Sequence, residues 1–376
     1  RAFLRENLPA DFEESPVGTE WSGDPEEMAV ARAFNKKLAE KGWLTAHWPK
    51  EYGGLSLSIM EQVVLREEIA YRRAPILNAN GLNMLGPVLM LYGTDEQRRR
   101  HLPGIAKAEV MWAQGYSEPN AGSDLAALET RAVRDGDDYV INGQKMWTSG
   151  AHNSTHVWLA ARTDPSAPKH RGISMFIVPL NSTGISVRPL WGMSGIRTNE
   201  TFYEDVRVPA EALIGEENRG WYTAANALDH ERVTLAPFSP FARWFDRVIE
   251  HLKTERPELL ADQRVRLRLA EIKVDLHIQR ALRSVNAAIV ARGDTPTMEA
   301  SMAKVWSSEL RYRVNSMAMD LLGRSGALSR ESGDVAPLEG EIERTYRGSP
   351  VLRFGGGTNE VQRNIIATRG LGLPRG

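Results

Sequence analysis

The chain has no cysteine among its 376 residues, which excludes disulfides and thiolate metal ligation. No apolar run approaches the ~20 residues that a membrane helix needs. Neither sign of charge is in excess: 47 Lys and Arg stand against 48 Asp and Glu, a net charge of −1. The basic residues are spread along the chain, which argues against a nucleic-acid footprint and against a basic membrane patch. Internal repeats and low-complexity tracts are also missing. These absences lead to the expectation of a soluble cytoplasmic protein with no membrane span and no nucleic-acid partner. A single core is not expected either, because cores stop growing at a few hundred residues.

What is present divides the chain into three textures. Helix signals dominate residues 1–112. Asp24-Pro25 opens a helix over 26–41, which Gly42 ends. Ser58 with Glu61 makes a capping box for a helix through Arg72. Thr94 with Gln97 repeats the device for 95–102, and Pro103 follows it. Residues 78–91 are apolar and read as a buried helix. From about Trp112 strands take over. Residues 133–143 (VRDGDDYVING) read as a hairpin, and 157–161, 173–178, 185–189 and 202–206 as further strand segments. A small β domain over 113–217 follows from this. Helices return over 218–376. Asp262 caps a long one, whose apolar positions Val265, Leu269, Ile272 and Leu276, then Leu282, Val285 and Ile289, recur at helical spacing. Thr295-Pro296 starts the next, with Met302, Val305 and Met317 on a stripe expected in the core.

Two segments carry the chemistry. In Gly115–Asp124 (GYSEPNAGSD), Ser117, Glu118, Pro119, Asn120, Gly122 and Ser123 form a turn-rich run that cannot continue a helix or a central strand. Such a run presents backbone N–H groups and small hydroxyls, which suit a flavin edge or a pyrophosphate. In Gly143–Gly150 (GQKMWTSG), the aromatic slab of Trp147 stands beside the hydroxyls of Thr148 and Ser149. His152 and His156 have an i,i+4 spacing that metal ligands use, but no third ligand accompanies them. No metal site is expected there.

Together, in this order, the two segments resemble the acyl-CoA dehydrogenase family, and the resemblance runs from about Trp43 to Leu373. It implies an α+β multidomain fold: an N-terminal helical domain, a small β-barrel-like middle domain and a C-terminal helical bundle. It also implies FAD as cofactor, an acyl-CoA thioester as substrate and an electron-transferring flavoprotein as acceptor. By the same resemblance, Tyr116 and Ser117 contact the flavin pyrimidine edge, with Gly122 in the same loop. Trp147 lies against the flavin, and Ser149 takes the place of the hydroxyl that bonds N5. Ser123 sits near the pantetheine and pyrophosphate. Thr358 and Glu360 lie where members touch the ADP half of FAD.

The reaction so implied removes the α-proton of the thioester as the β-hydrogen leaves as hydride. A carboxylate base is needed, worth about 10²–10⁴-fold in rate. Many members carry it just before a Gly-Thr pair near the C-terminus. Here that position is Gly356, which can transfer no proton. Other branches carry the base on an early helix of the C-terminal domain, in a Leu-Asp-x-Glu-Arg run. Leu228-Asp229-His230-Glu231-Arg232 matches that run, so Glu231 is the candidate base and Arg232 a candidate substrate contact. Desolvation in a dry pocket would raise the pKa of Glu231, and Arg232 would oppose that.

Homotetrameric members share each FAD between subunits. The neighbour donates an Arg-x-x-Phe-Gly run and a Gln…Gly-Gly turn. Here the first is absent around Leu252–Pro257, and the second reads Asp320-Leu321-Leu322-Gly323-Arg324. A carboxylate beside a pyrophosphate is repulsive by roughly 1 kcal/mol at an effective dielectric of about 20. The expectation is therefore a homologous partner subunit, an α2β2 assembly resembling those of actinobacterial steroid side-chain degradation, with a homotetramer as the alternative. Glycines at 355–357 leave room for a bulky, branched or steroid acyl group. Two other functions fit the same resemblance: a flavin oxidase or monooxygenase on this fold, or a non-catalytic subunit of a heteromeric dehydrogenase.

Overall fold

The computed structural model describes residues 1–9, 24–224 and 238–374. The chain forms two compact units: 18–57 with 75–231, and 1–17 with 58–74 and 232–376.

The first unit is built on a mixed eight-stranded sheet. Its strands are β1 (Trp112–Gly115), β2 (Arg131–Asp135), β3 (Asp138–Lys145), β4 (His156–Arg162), β5 (Ile173–Pro179), β6 (Ile185–Trp191), β7 (Arg197–Pro209) and β8 (Leu213–Ile214). The order is β6-β7-β3-β2-β4-β5-β8, and β1 pairs in parallel with β4. The expected hairpin is β2–β3, closed where Asp135 pairs with Asp138 and turned by Gly136 at φ 63°. Inward residues such as Tyr139, Ile141, Val157, Leu159, Phe176, Val178 and Val206 form its core. The β3–β7 register slips by one residue between Ile141 and Gly143. Asp205 absorbs the extra residue of β7 in the left-handed region, at φ 49°, and its N–H donates to Asn142. A bulge of this kind leaves the alternation of β3 intact.

Helices of this unit start where the caps predict. Asp24 accepts from the N–H groups of Glu26 and Glu27 ahead of Pro25–Glu40. The Thr94–Gln97 capping box opens Asp95–Ala106, which runs through Pro103 rather than stopping before it. Proline near a helix end forfeits one backbone bond only, and Leu102, Ile105 and Ala106 bury that last turn. The apolar run 78–91 is not one regular helix. A π-turn, Gly81–Leu85, precedes the helix Gly86–Tyr92, because Pro87 has no N–H to offer the turn before it.

The second unit is a helical bundle. The Ser58–Glu61 capping box opens Ile59–Tyr71. Ser239–Glu255, Gln263–Ala291 and Met298–Leu322 follow, packed through Phe241, Phe245, Val265, Leu269, Ile272, Leu276, Val314 and Met317. Buried Asn315 crosslinks the bundle: it accepts from Trp244 Nε1 at 2.8 Å and donates to Thr345 O at 3.0 Å. The long helix begins at its Asp262 cap, but its second half departs from expectation. Val285 is 47% exposed, while Gln279, Asn286 and Ala287 are buried. Met302, expected in the core, is also exposed, and its helix starts at Met298, two residues beyond Pro296.

Candidate active site

The two motif segments meet on the first unit. Gly115 ends β1 at the level of Leu159. Beyond it the chain turns at Glu118–Ala121, which exchange both backbone hydrogen bonds. Met146 N–H then donates to Ser117 O at 2.8 Å. Lys145 Nζ donates to Tyr116 O at 3.0 Å and to Glu118 Oε1 at 2.7 Å. Glu118 also accepts from Glu129 N–H at Oε2 (2.6 Å) and from Thr130 N–H at Oε1 (2.9 Å), the oxygen that Lys145 reaches. Burial draws the Lys145 ammonium down to about 8, opposed by Glu118. Burial also pushes the Glu118 carboxyl up, but Lys145 and the backbone donors outweigh it and hold it below its ordinary value. The pair is therefore ionised at neutral pH.

Above this buried pair stands Trp147. It is 57% exposed, and its backbone is left-handed at φ 58°. A bulky residue in that region is a genuine outlier, and such strain concentrates at functional sites. Thr148 turns inward: its N–H donates to Asn199 O at 2.9 Å. Asn199, fully buried, returns a bond to Thr148 O and another to His152 Nδ1. Nδ1 of His152 is thus an acceptor and Nε2 carries the proton. Burial holds this imidazole neutral, at about 4. Ser149 is half-buried, and its hydroxyl lies 3.1 Å from that of Thr198.

Tyr116 is buried with its ring edge-on to Trp158, so what it offers the loop is backbone. Ser117 is half-buried, and Gly122 and Ser123 are exposed. A Cβ built on Gly122 meets nothing within 4 Å. An exposed, strained indole beside two interlocked polar loops with open space at Gly122 fits a flat aromatic cofactor such as FAD. His156 stacks on Trp112. Among the described residues no three His, Cys, Asp or Glu side chains converge as a metal site would require.

The other implied residues lie in the second unit. Thr358 caps the helix Asn359–Ile365 by accepting from Val361 N–H. Glu360 is exposed, its carboxyl held below the ordinary value by backbone and Thr358 hydrogen bonds. Gly356 and Gly357 sit at φ 65° and 87°, and a Cβ on Gly357 would lie 2.8 Å from Gln362 Nε2. The turn is therefore built on glycine conformations, and a carboxylate-bearing residue at 356 would have to adopt a left-handed one. Asp320 is paired with Arg268 at 2.8 Å. Glu231 and Arg232 lie outside the described residues.

Reasoning on the sequence missed the Glu118–Lys145 pair. A signal was present: Tyr139 and Ile141 are inward, so a period of two puts Lys145 on the buried face of β3.

Three family models match in sequence: the acyl-CoA dehydrogenase N-terminal domain over 3–109, the middle domain over 113–206 and the C-terminal domain over 218–371. The chain belongs to the acyl-CoA dehydrogenase family. It is an oxidoreductase of the class that acts on CH–CH bonds. Acyl-CoA dehydrogenase FadE26 of Mycobacterium tuberculosis is 42% identical over 363 residues, covering 93% of this chain and 90% of the relative. Among solved structures, the Tcur3481-Tcur3483 steroid ACAD aligns with a TM-score of 0.92 at 40% identity, over 100% of this chain and 96% of that one. The ChsE4-ChsE5 complex from Mycobacterium tuberculosis aligns at 0.86 and 42% identity, over 94% of each chain. No helix among the described residues is long and apolar enough to cross a membrane.

Proposed function

We propose that this chain is the catalytic subunit of an FAD-dependent dehydrogenase that converts a bulky, branched or steroid side-chain acyl-CoA to the trans-2-enoyl-CoA. The carrying observation is the junction of Ser117 with Met146 beneath an exposed, left-handed Trp147. FAD, when bound, supplies the acceptor for the β-hydrogen. Tyr116 and Ser117 hold its pyrimidine edge, Trp147 covers it, and Ser149 offers a hydroxyl near its reactive nitrogen. Ser123 and Arg232 contact the thioester substrate. Glu231 takes the α-proton.

The absence of any side chain at 355–357 supports a roomy acyl pocket, and so does the likeness to a steroid ACAD. Asp320, standing where homotetrameric members have the Gln of the donated turn, supports the reading that this chain donates no adenosine half-site to a copy of itself. A homologous subunit does so instead, and an electron-transferring flavoprotein reoxidises the assembly. Two of the similar solved structures are named as pairs of proteins.

Flavin stoichiometry and molar mass test the assembly. The chain produced alone should be flavin-poor, and co-production with a homologous dehydrogenase subunit should restore flavin at one FAD per copy of this chain. A fully loaded homotetramer of this chain alone would contradict the heteromer. Activity with short straight-chain acyl-CoA exceeding that with branched or polycyclic ones would contradict the substrate class.

A further inference from the structure

Among the described residues, Glu118–Lys145 is the one charged pair whose two members come from the two motif segments. Lys145 is fully buried, and Glu118 nearly so. Every polar atom of the pair is spent on the segments around it. One side holds Tyr116 O, the other holds the N–H groups of Glu129 and Thr130, and Lys145 stands two residues before Trp147. The Thr130–Gly143 approach locks the same region. A Cβ on Gly143 would lie 2.5 Å from Thr130 Oγ1, so β3 can come close enough for Lys145 to reach under the loop. Burying an ion pair is poor value for stability alone, since apolar replacements are often neutral or better. What the pair does supply is geometry.

We infer that Glu118 and Lys145 are positioning residues: a buried ionic strut that fixes the Tyr116–Ser117 backbone relative to Trp147, and so sets both the fit and the electrostatic surroundings of a flavin ring held between them. This rests on the reading of the two loops as the flavin site. Without Lys145, Glu118 keeps its two backbone N–H donors and stays a carboxylate with no counter-charge, which opposes the addition of electrons to a nearby flavin. Without Glu118, burial takes the proton from Lys145, so both charges disappear together.

Two measurements on the full chain, purified with its partner subunit where flavin loading requires it, test the inference. The first is amide hydrogen exchange without added FAD. Lys145→Met should speed exchange at 115–118, 129–130 and 146, leaving β4, β5 and the C-terminal bundle as in the wild type. Unchanged loops, or loosening everywhere, would overturn the strut. The second is the flavin reduction potential. It should move negative in Lys145→Met and stay near the wild-type value in Glu118→Gln, with FAD binding weakened in both about tenfold or more, the order that one charged hydrogen bond carries. Equal shifts in both variants, or none in Lys145→Met, mean a packing role only. Should Lys145→Met not fold, the isosteric Glu118→Gln carries the exchange and FAD-affinity readouts. If Trp147→Gly leaves FAD affinity untouched, the flavin-site reading fails, while the exchange result still decides the strut.

Discussion

Replacing Trp147 by glycine separates a site residue from a core residue by magnitude. Relief of the left-handed backbone returns about 1–2 kcal/mol. Against this, less than half of the side chain is covered in the structure. A tryptophan buries roughly 150–250 Å² when fully enclosed, so the covered part is worth about 2 kcal/mol at ~25 cal/mol per Å². The extra freedom of glycine in the unfolded chain costs a further ~0.5–1 kcal/mol. The net is a loss of about 1 kcal/mol, well below the ~3–5 kcal/mol of a core tryptophan. Trp158, fully buried in β4, is the internal control: Trp158→Ala should cost that larger amount. Urea unfolding of the apo chain, and FAD titration of the chain with its partner subunit where flavin loading requires it, are the assays. Trp147→Gly should unfold near the wild-type midpoint yet bind FAD at least about tenfold more weakly, a shift of roughly 1.4 kcal/mol. A stability loss matching that of Trp158→Ala, or undiminished FAD binding, would refute the reasoning.

Further expectations concern acid, glycine and a second buried lysine. Burial holds His101 and His152 neutral in the fold, each at about 4 against an ordinary value of 6.5. The unfolded chain therefore binds more protons between pH 6.5 and 4, and stability falls as pH drops through that window. Melting temperatures at pH 7 and pH 5 should differ less in a His101→Asn, His152→Asn double variant, and an equal drop would contradict this. Gly143→Ala places a Cβ against Thr130 and should destabilise by about 1–3 kcal/mol, the usual cost of overpacking, read from denaturant midpoints. Lys304→Met removes one of the two donors to Asn359 Oδ1, leaving Ser308 Oγ, and the donor to Arg353 O, and should loosen amide exchange over 354–362 while leaving the sheet unchanged.

Much of the architecture is legible in short signals. Asp24, Ser58, Thr94 and Asp262 each cap the helix they announce, because a side-chain oxygen there meets N–H groups that have no other partner. Apolar periodicity is less complete. It marks Val265 through Leu276 correctly, yet Leu267, Val274, Ile278 and Val285 form a second apolar line on the same helix that stays exposed. Periodicity identifies an apolar face, and only tertiary packing decides which face is covered. At the site, the two motif segments announce themselves through turn residues and an aromatic. The strain at Trp147 does not, since φ is a property of the folded turn. The Glu118–Lys145 pair stays hidden for another reason: a lysine in a strand is ordinarily solvated, and its burial depends on a carboxylate 27 residues away.

The most direct test of the proposed dehydrogenase is anaerobic mixing of the flavin-loaded protein with a branched or steroid side-chain acyl-CoA. The visible flavin band of the wild type should bleach within turnover time. Glu231→Gln, with flavin content unchanged, should bleach about 10²–10⁴-fold more slowly, the usual worth of a general base. Bleaching at the wild-type rate in Glu231→Gln would contradict the assignment of the base, and no bleaching in the wild type by any acyl-CoA would contradict the dehydrogenase itself.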